Sequence, residues 1–179
     1  MVELQVIANC ILKDIPISFY LGLISLFFLG IIVLIWRKGL KQALHYGTIL
    51  ILIEWIIFVL GISVIFRGNS AERSINLVPL SSYFDYGEHS YLMEKVALNI
   101  LNVALFVPVG LLLGFMVHGS WFTVNERRWL WVMVVGCGLS VLIEVLQLIF
   151  KRGLCEVDDV IHNVLGCMIG YGVASILKR

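Results

Sequence analysis

Hydrophobic residues fall in five long unbroken runs, and charge is concentrated in the breaks between them. The runs cover Pro16–Trp36, Thr48–Phe66, Val96–Val117, Trp129–Phe150 and Val160–Leu177, each 18 to 22 residues long. About 20 apolar residues, rising 1.5 Å each in a helix, cross a hydrocarbon core of ~30 Å. The runs are continuous rather than alternating every second residue, which selects helices over barrel strands. Short charged turns separate them: RKGLKQ, RGNSAER, NERR and KRG. The pattern predicts an all-α, polytopic membrane helix bundle of about five transmembrane helices with short loops. Residues 1–15 mix apolar residues with Glu3, Lys13 and Asp14 and read as an interfacial segment.

Composition agrees with this pattern and excludes its rivals. The chain is 60% hydrophobic and 14% charged, against about 45–50% and about 25% in soluble domains. A soluble globular enzyme and a disordered chain are both excluded. The net charge of +1 gives no basic face for nucleic acid. The four cysteines, Cys10, Cys137, Cys155 and Cys167, form no C-x-x-C pair, so a zinc or thioredoxin-like motif is not indicated. The opening MVELQ lacks a basic stretch, so a cleaved signal is not expected.

Lys and Arg in the short loops orient the spans. With the N-terminus outside and the C-terminus inside, the inner set is Arg37, Lys38, Lys41, Arg127, Arg128, Lys178 and Arg179. The outer set is Lys13, Arg67, Arg73, Lys95, Lys151 and Arg152, spread over longer loops. The density of cations favours this orientation. Trp121, Trp129 and Trp131 flank the third inner loop as an aromatic belt.

In so apolar a chain the polar residues inside the runs are the informative ones, because each is costly to bury in lipid. Asn99 and Asn102 open the third run, one helical turn apart. Ser140, Glu144 and Gln147 share a face of the fourth, which continues to Lys151. Asp159, Asn163, Gly166 and Gly170 form one stripe on the fifth. Alternation of the spans places Asn99, Asn102, Glu144, Gln147, Arg152, Asp158, Asp159 and Asn163 at one membrane face, whichever face is outside. The loop containing Asn76 and Pro79 lies on that side, and Pro79 forces an extended Val78. Gly110 and Gly114, and Gly166 and Gly170, form two G-x-x-x-G patterns for close helix approach, within the chain or in a homodimer. Pro108 interrupts the backbone ladder of the third span.

Four of these stretches carry a family resemblance: NLVPL at Asn76–Leu80, NILNVALFVPVGLLLGF at Asn99–Phe115, SVLIEVLQ at Ser140–Gln147, and KRGLCEVDDVIHNVLGCMIGY at Lys151–Tyr171. In this order and spacing, over residues 76–171, they resemble the VanZ-like family of bacterial membrane proteins. On that resemblance the chain divides into an interfacial segment (1–15), two helices (16–75) and a VanZ-like core of three helices (76–179). The resemblance implies the bacterial cytoplasmic membrane and a part in tolerance to lipoglycopeptides such as teicoplanin. Its recurrent positions fall on Asn76, Pro79, Asn102, Pro108, Gly110, Glu144, Gln147, Arg152, Asp158, Asp159, Asn163 and Gly166, with Glu156 as the acid ahead of the Asp pair. It supplies no mechanism, and it gives no support to His162 or Glu54.

Each polar residue has a structural and a functional reading. Glu144 is either a helix-packing acid bonded to Arg152 or Asn102, or a ligand-binding or general-base carboxylate. Gln147 and Asn102 read as supporting donors and acceptors. Arg152 is either a headgroup anchor or a fork for phosphate. Asp158 and Asp159 favour a helix N-terminus, and with Asn163 they also offer hard oxygen ligands to Mg²⁺ or Ca²⁺, although no cofactor is expected. His162 reads as a packing residue, and Glu54 as an acid that is neutral, paired or wet.

Three function classes follow. The first binds a lipid-linked cell-wall precursor, a lipoglycopeptide or a lipid headgroup at the outer leaflet, using Asn76, Asn99, Asn102, Glu144, Gln147, Arg152, Asp158, Asp159 and Asn163. The second is a membrane enzyme modifying such a molecule, with Glu144 as base and Asp158 and Asp159 as acid or metal site. No Ser-His or Cys-His pairing supports it. The third, a transporter, lacks the internal repeat such folds carry.

Overall fold

The structure, a computed structural model, describes residues 16–68, 74–84, 89–118 and 127–178. The expected interfacial segment 1–15, Cys10 and Trp121 lie outside these residues.

Among the described residues, five helices are long and apolar enough to cross a membrane. Helix α1 spans Ile17–Lys38 and α2 spans Leu40–Leu60, with one residue between them. That residue is Gly39, at φ 78, a left-handed backbone that a side chain would strain. A π-helical turn, Gly61–Ile65, continues α2 to the far side of the bundle. Strand β1 (Ser74–Asn76) and the short helix α3 (Ser81–Phe84) precede α4, which runs His89–His118 unbroken through Pro108. Helix α5 spans Arg128–Phe150, β2 spans Leu154–Glu156, and α6 spans Val157–Leu177.

The hydropathy pattern gives no sign of the strands. β1 and β2 pair in parallel, Ser74 with Leu154 and Asn76 with Glu156. Three-residue strands are too short to show a two-residue period. They join the loop after the π turn to the turn between α5 and α6, and so set the geometry at one membrane face.

The tightest pairing is α4 against α6, with α5 and α2 packed around it. Glycines explain the closeness. A methyl on Gly110 would sit 1.8 Å from the Cys167 carbonyl oxygen. One on Gly166 would meet the Val103 carbonyl at 2.2 Å, and one on Gly170 the Val107 carbonyl at 2.0 Å. Gly114 faces Ala174. The glycine faces, read as seams for close approach within the chain or in a homodimer, are filled inside the chain, each set by the other helix. Without a hydrophobic drive between helices in lipid, such backbone approach is what holds spans together.

Two core clusters result. One, around Val109, Met116, Val132 and Cys167, fills one half of the bundle. The other, around Val59, Val64, Leu105, Phe106 and Ile143, lies nearer the face where α4 and α6 begin and α5 ends. Helix α1 contributes no buried residue and lies against α2.

Candidate functional site

The stripes expected at one membrane face do meet there. Asn102 Nδ2 donates to Asp159 at 2.7 Å, bridging α4 and α6. Asn163 Nδ2 donates to Ser140 Oγ at 2.8 Å, bridging α6 and α5. Gln147 Nε2 donates to the Ser63 carbonyl at 3.0 Å, tying α5 to the π turn. All four long elements of the core are therefore joined by side-chain amides. In an apolar medium an unmade bond of this kind is costly, so these contacts fix register.

Glu144 is almost wholly buried, at 3% exposure. Its partner is neither Arg152 nor Asn102: it accepts the backbone N–H of Glu156 at 3.0 Å. That bond holds the chain as it passes from β2 into α6. Arg152, expected to grip phosphate, donates instead to the Arg67 carbonyl at 2.8 Å. The turn that places it is unusual. Lys151 ends α5 in the left-handed region and the Arg152 N–H returns to the Gln147 carbonyl, a helix stop that glycine normally supplies.

The Asp pair divides its work. Two adjacent residues of a helix point about 100° apart. Asp158 accepts the Leu80 backbone N–H, while Asp159 turns toward α4. His162 Nδ1 donates to the Asp158 carbonyl at 2.6 Å, and its Nε2 lies 2.8 Å from the Tyr83 hydroxyl. His162 and Asp158 together fasten the 80–84 segment over the end of α6. Asn76 makes a turn with the Val78 N–H and donates to Ser81 Oγ. Asp158, Asp159 and Asn163 thus have three different hydrogen-bond partners. Among the described residues no group of three His, Cys, Asp or Glu side chains is placed to hold a metal.

A cavity of about 210 Å³ opens between the π turn, α4 and the start of α6. Arg67, Lys95, Asn99, Asn102, Glu156 and Asp159 supply its polar wall. Leu101, Leu105, Ile62 and Phe66 supply an apolar one. From Lys95 to Leu105 the α4 wall descends about 15 Å at 1.5 Å per residue, from charge at the mouth to hydrocarbon below. Lys95 and Glu156 form an ion pair at 2.9 Å. Arg67 attracts both Glu144 and Asp159, and its guanidinium rests on Gly153, where a methyl would meet Nε at 2.8 Å. Gly153 also has φ 122, so both space and backbone require glycine there. The Asn99 amide nitrogen is buried with no hydrogen-bond partner among the described residues. The Arg67 guanidinium likewise makes no side-chain hydrogen bond to another described residue.

Of the expected residues, Asn99, Asn102 and Asp159 line the cavity, and Glu144, Gln147, Arg152 and Asn76 brace its walls. Asp158 and Asn163 fasten neighbouring elements. Arg67, Lys95 and Glu156 complete the wall. Lys95 carried a usable signal: with Asn99 and Asn102 it falls at i, i+4 and i+7 on α4. Arg67 carried only its place among the cations of that face, since the π turn and Gly153 are what bring it into the cavity. Beside Glu144, the Cys155 thiol is pushed up, first by burial and then by the neighbouring carboxyl, so it is a poor nucleophile here.

The VanZ/LLP1 family profile matches residues 46–178. The chain belongs to that family. It is 29% identical over 141 residues to Protein VanZ of Enterococcus faecium, covering 77% of each chain. No solved structure matches it. Five apolar spans and this membership make it a multi-pass membrane protein.

Proposed function

We propose that this VanZ/LLP1 family protein binds the headgroup of a lipid-linked envelope molecule in the cavity beside α4. The observation that carries the reading is the gradient of that cavity: a charged mouth above an apolar wall, lined by the Arg67 guanidinium and by one buried unpartnered donor, the Asn99 amide. Unpartnered buried donors are costly until an acceptor arrives. An anionic oxygen of the headgroup answers Arg67, a second oxygen answers the Asn99 amide, and Asp159 and Glu156 accept from its hydroxyls or ammonium. The tail lies along Leu101, Leu105 and Phe66. The volume of about 210 Å³ is below the roughly 300 Å³ where pockets for drug-sized ligands begin, so it admits a headgroup and not a whole glycopeptide.

The reading is of binding, because only Asp159 among the three carboxylates considered for acid–base chemistry lines the cavity. In this reading the cavity faces the outer leaflet of the bacterial cytoplasmic membrane, with the N-terminus outside and the C-terminus inside. Tolerance to teicoplanin, a lipid-tailed glycopeptide, follows indirectly from holding the molecule it would otherwise reach.

The test is retention of lipids by the purified protein in nanodiscs, read by native mass spectrometry. Phosphatidylcholine serves as background, against phosphatidylglycerol and a polyprenyl-diphosphate-linked cell-wall precursor. The expected outcome is selective retention of one of the latter two. Arg67→Ala and Asn99→Ala should each weaken it about tenfold, or ~1.4 kcal/mol. Equal retention by wild type and both variants would overturn the reading.

A further inference from the structure

A second concavity lies where α1 meets α2. It measures about 440 Å³ and its wall is nearly all aromatic and aliphatic, with Tyr20, Phe27, Trp55 and Phe58 prominent. One carboxyl lines it, that of Glu54. Glu54 sits near the middle of the Tyr46–Ile65 span, about 12 Å of helix from Tyr46. Its Oε1 is buried and has no hydrogen-bond partner among the described residues. The lining holds no Lys, Arg or His to answer it. The core does not use this carboxyl: it belongs to neither buried cluster, and no side-chain bond crosses from it to α4.

The aromatic rings are held in place. The Trp55 indole nitrogen donates to the Leu105 carbonyl at 2.8 Å. Phe58 packs between Trp55 and Tyr20, with ring centroids 5.1 and 5.8 Å away. Faces of fixed aromatic rings attract a cation, most strongly once water is excluded. A lone acid at mid-membrane depth marks a functional site by default.

We propose that this groove is a binding site for a hydrophobic organic cation, with Glu54 as its counter-ion and Tyr20, Trp55 and Phe58 as its aromatic walls. A lipid tail alone would fill the apolar walls and leave the carboxyl unanswered. A lipophilic ammonium or phosphonium satisfies both at once. Because α1 buries no residue and packs chiefly on α2, with Phe19 reaching Gly61 and Phe66 at one end, its other end can swing outward to admit such a molecule from the lipid. The site is separate from the headgroup cavity and does not depend on it.

The experiment is equilibrium binding of radiolabelled tetraphenylphosphonium to the full chain in nanodiscs of zwitterionic lipid. Saturable binding of one cation per chain is expected. Glu54→Gln should weaken it at least tenfold and Phe58→Ala several-fold, whereas Arg67→Ala should leave it unchanged. Triphenylphosphine oxide, neutral and similar in shape, should compete at least tenfold less well. Binding that is unsaturable, or equal in Glu54→Gln and wild type, overturns the proposal, as does equal competition by the neutral analogue. If Glu54→Gln does not insert, Phe58→Ala and the neutral competitor decide.

Discussion

Helices α1 and α6 differ in a way that reverses the soluble-protein rule. α1 is markedly the more apolar of the two, yet it buries no residue. α6 is the least apolar of the five spans and buries Asp158, Asp159, His162, Asn163, Gly166, Cys167, Gly170 and Ala174. In water a hydrophobic face drives burial. In lipid the surroundings are already hydrocarbon, and a leucine gains little by leaving them. Small residues that admit a neighbouring backbone, and polar groups that find partners, decide which helix goes to the centre. Hydropathy therefore locates the spans, and its exceptions arrange them. The family match shows the same division, covering residues 46–178 and leaving α1 outside.

The sharpest way to break the comparison is to add a side chain to each helix. In Gly166→Leu the first added carbon already meets the Val103 carbonyl at 2.2 Å, which neither rigid helix can yield. Overpacking of even a few methylenes costs roughly 1–3 kcal/mol, and a backbone clash more. The variant should lose its folded peak in fluorescence-detected size exclusion. Gly22→Leu on α1, where nothing lies within 4 Å, should elute as wild type and melt no lower. A matched loss at both positions would mean that α1 is packed as closely as α6.

Much of this contrast is legible in the sequence, for definable reasons. The five spans follow from run length, and the α4–α6 approach from two G-x-x-x-G patterns. The meeting of Asn102, Glu144, Gln147 and Asp159 at one face follows from alternation alone. What was not legible depends on irregular backbone. The β1–β2 pair is three residues long, and the π turn at Gly61 shifts the register that carries Arg67 to the cavity. A periodicity has no term for either. Arg152 illustrates the consequence: its identity suggested a phosphate fork, but the left-handed Lys151 turns it onto a carbonyl.

A smaller effect is expected at Glu144, where the polar side of the comparison can be divided into charge and hydrogen bond. It accepts from the Glu156 backbone N–H and lies within hydrogen-bond reach of the Cys155 thiol, neutral donors that need an acceptor and not a charge. Glu144→Gln keeps a side-chain oxygen and should hold the β2–α6 junction with a small loss of thermal stability. Glu144→Leu strands the Glu156 N–H, and leaving a buried donor unmade costs about 1–3 kcal/mol. Melting temperatures in detergent, ordered wild type, Gln, then Leu, check this. If Gln falls as far as Leu, the attraction between Glu144 and Arg67 dominates, and the residue acts as a charge.

The smallest effect tests the apolar side. Leu21 on α1 is 60% exposed in the structure and, in a bilayer, meets lipid. Leu21→Ala removes contacts with mobile chains that other lipid atoms replace, so no cavity forms and the usual large core penalty does not apply. The expected change is within about 0.5 kcal/mol, as for surface positions away from special features. Val109, on α4, is fully buried in the same core cluster as Cys167 and Leu52. Val109→Ala deletes fewer atoms than Leu21→Ala but opens a void between rigid helices, and should lower the melting temperature further. Paired melting curves in one detergent decide the point. A Leu21 variant that falls as far as the Val109 one would mean that α1 is held by packing on a surface of its own, and that its exposed face is covered in the membrane.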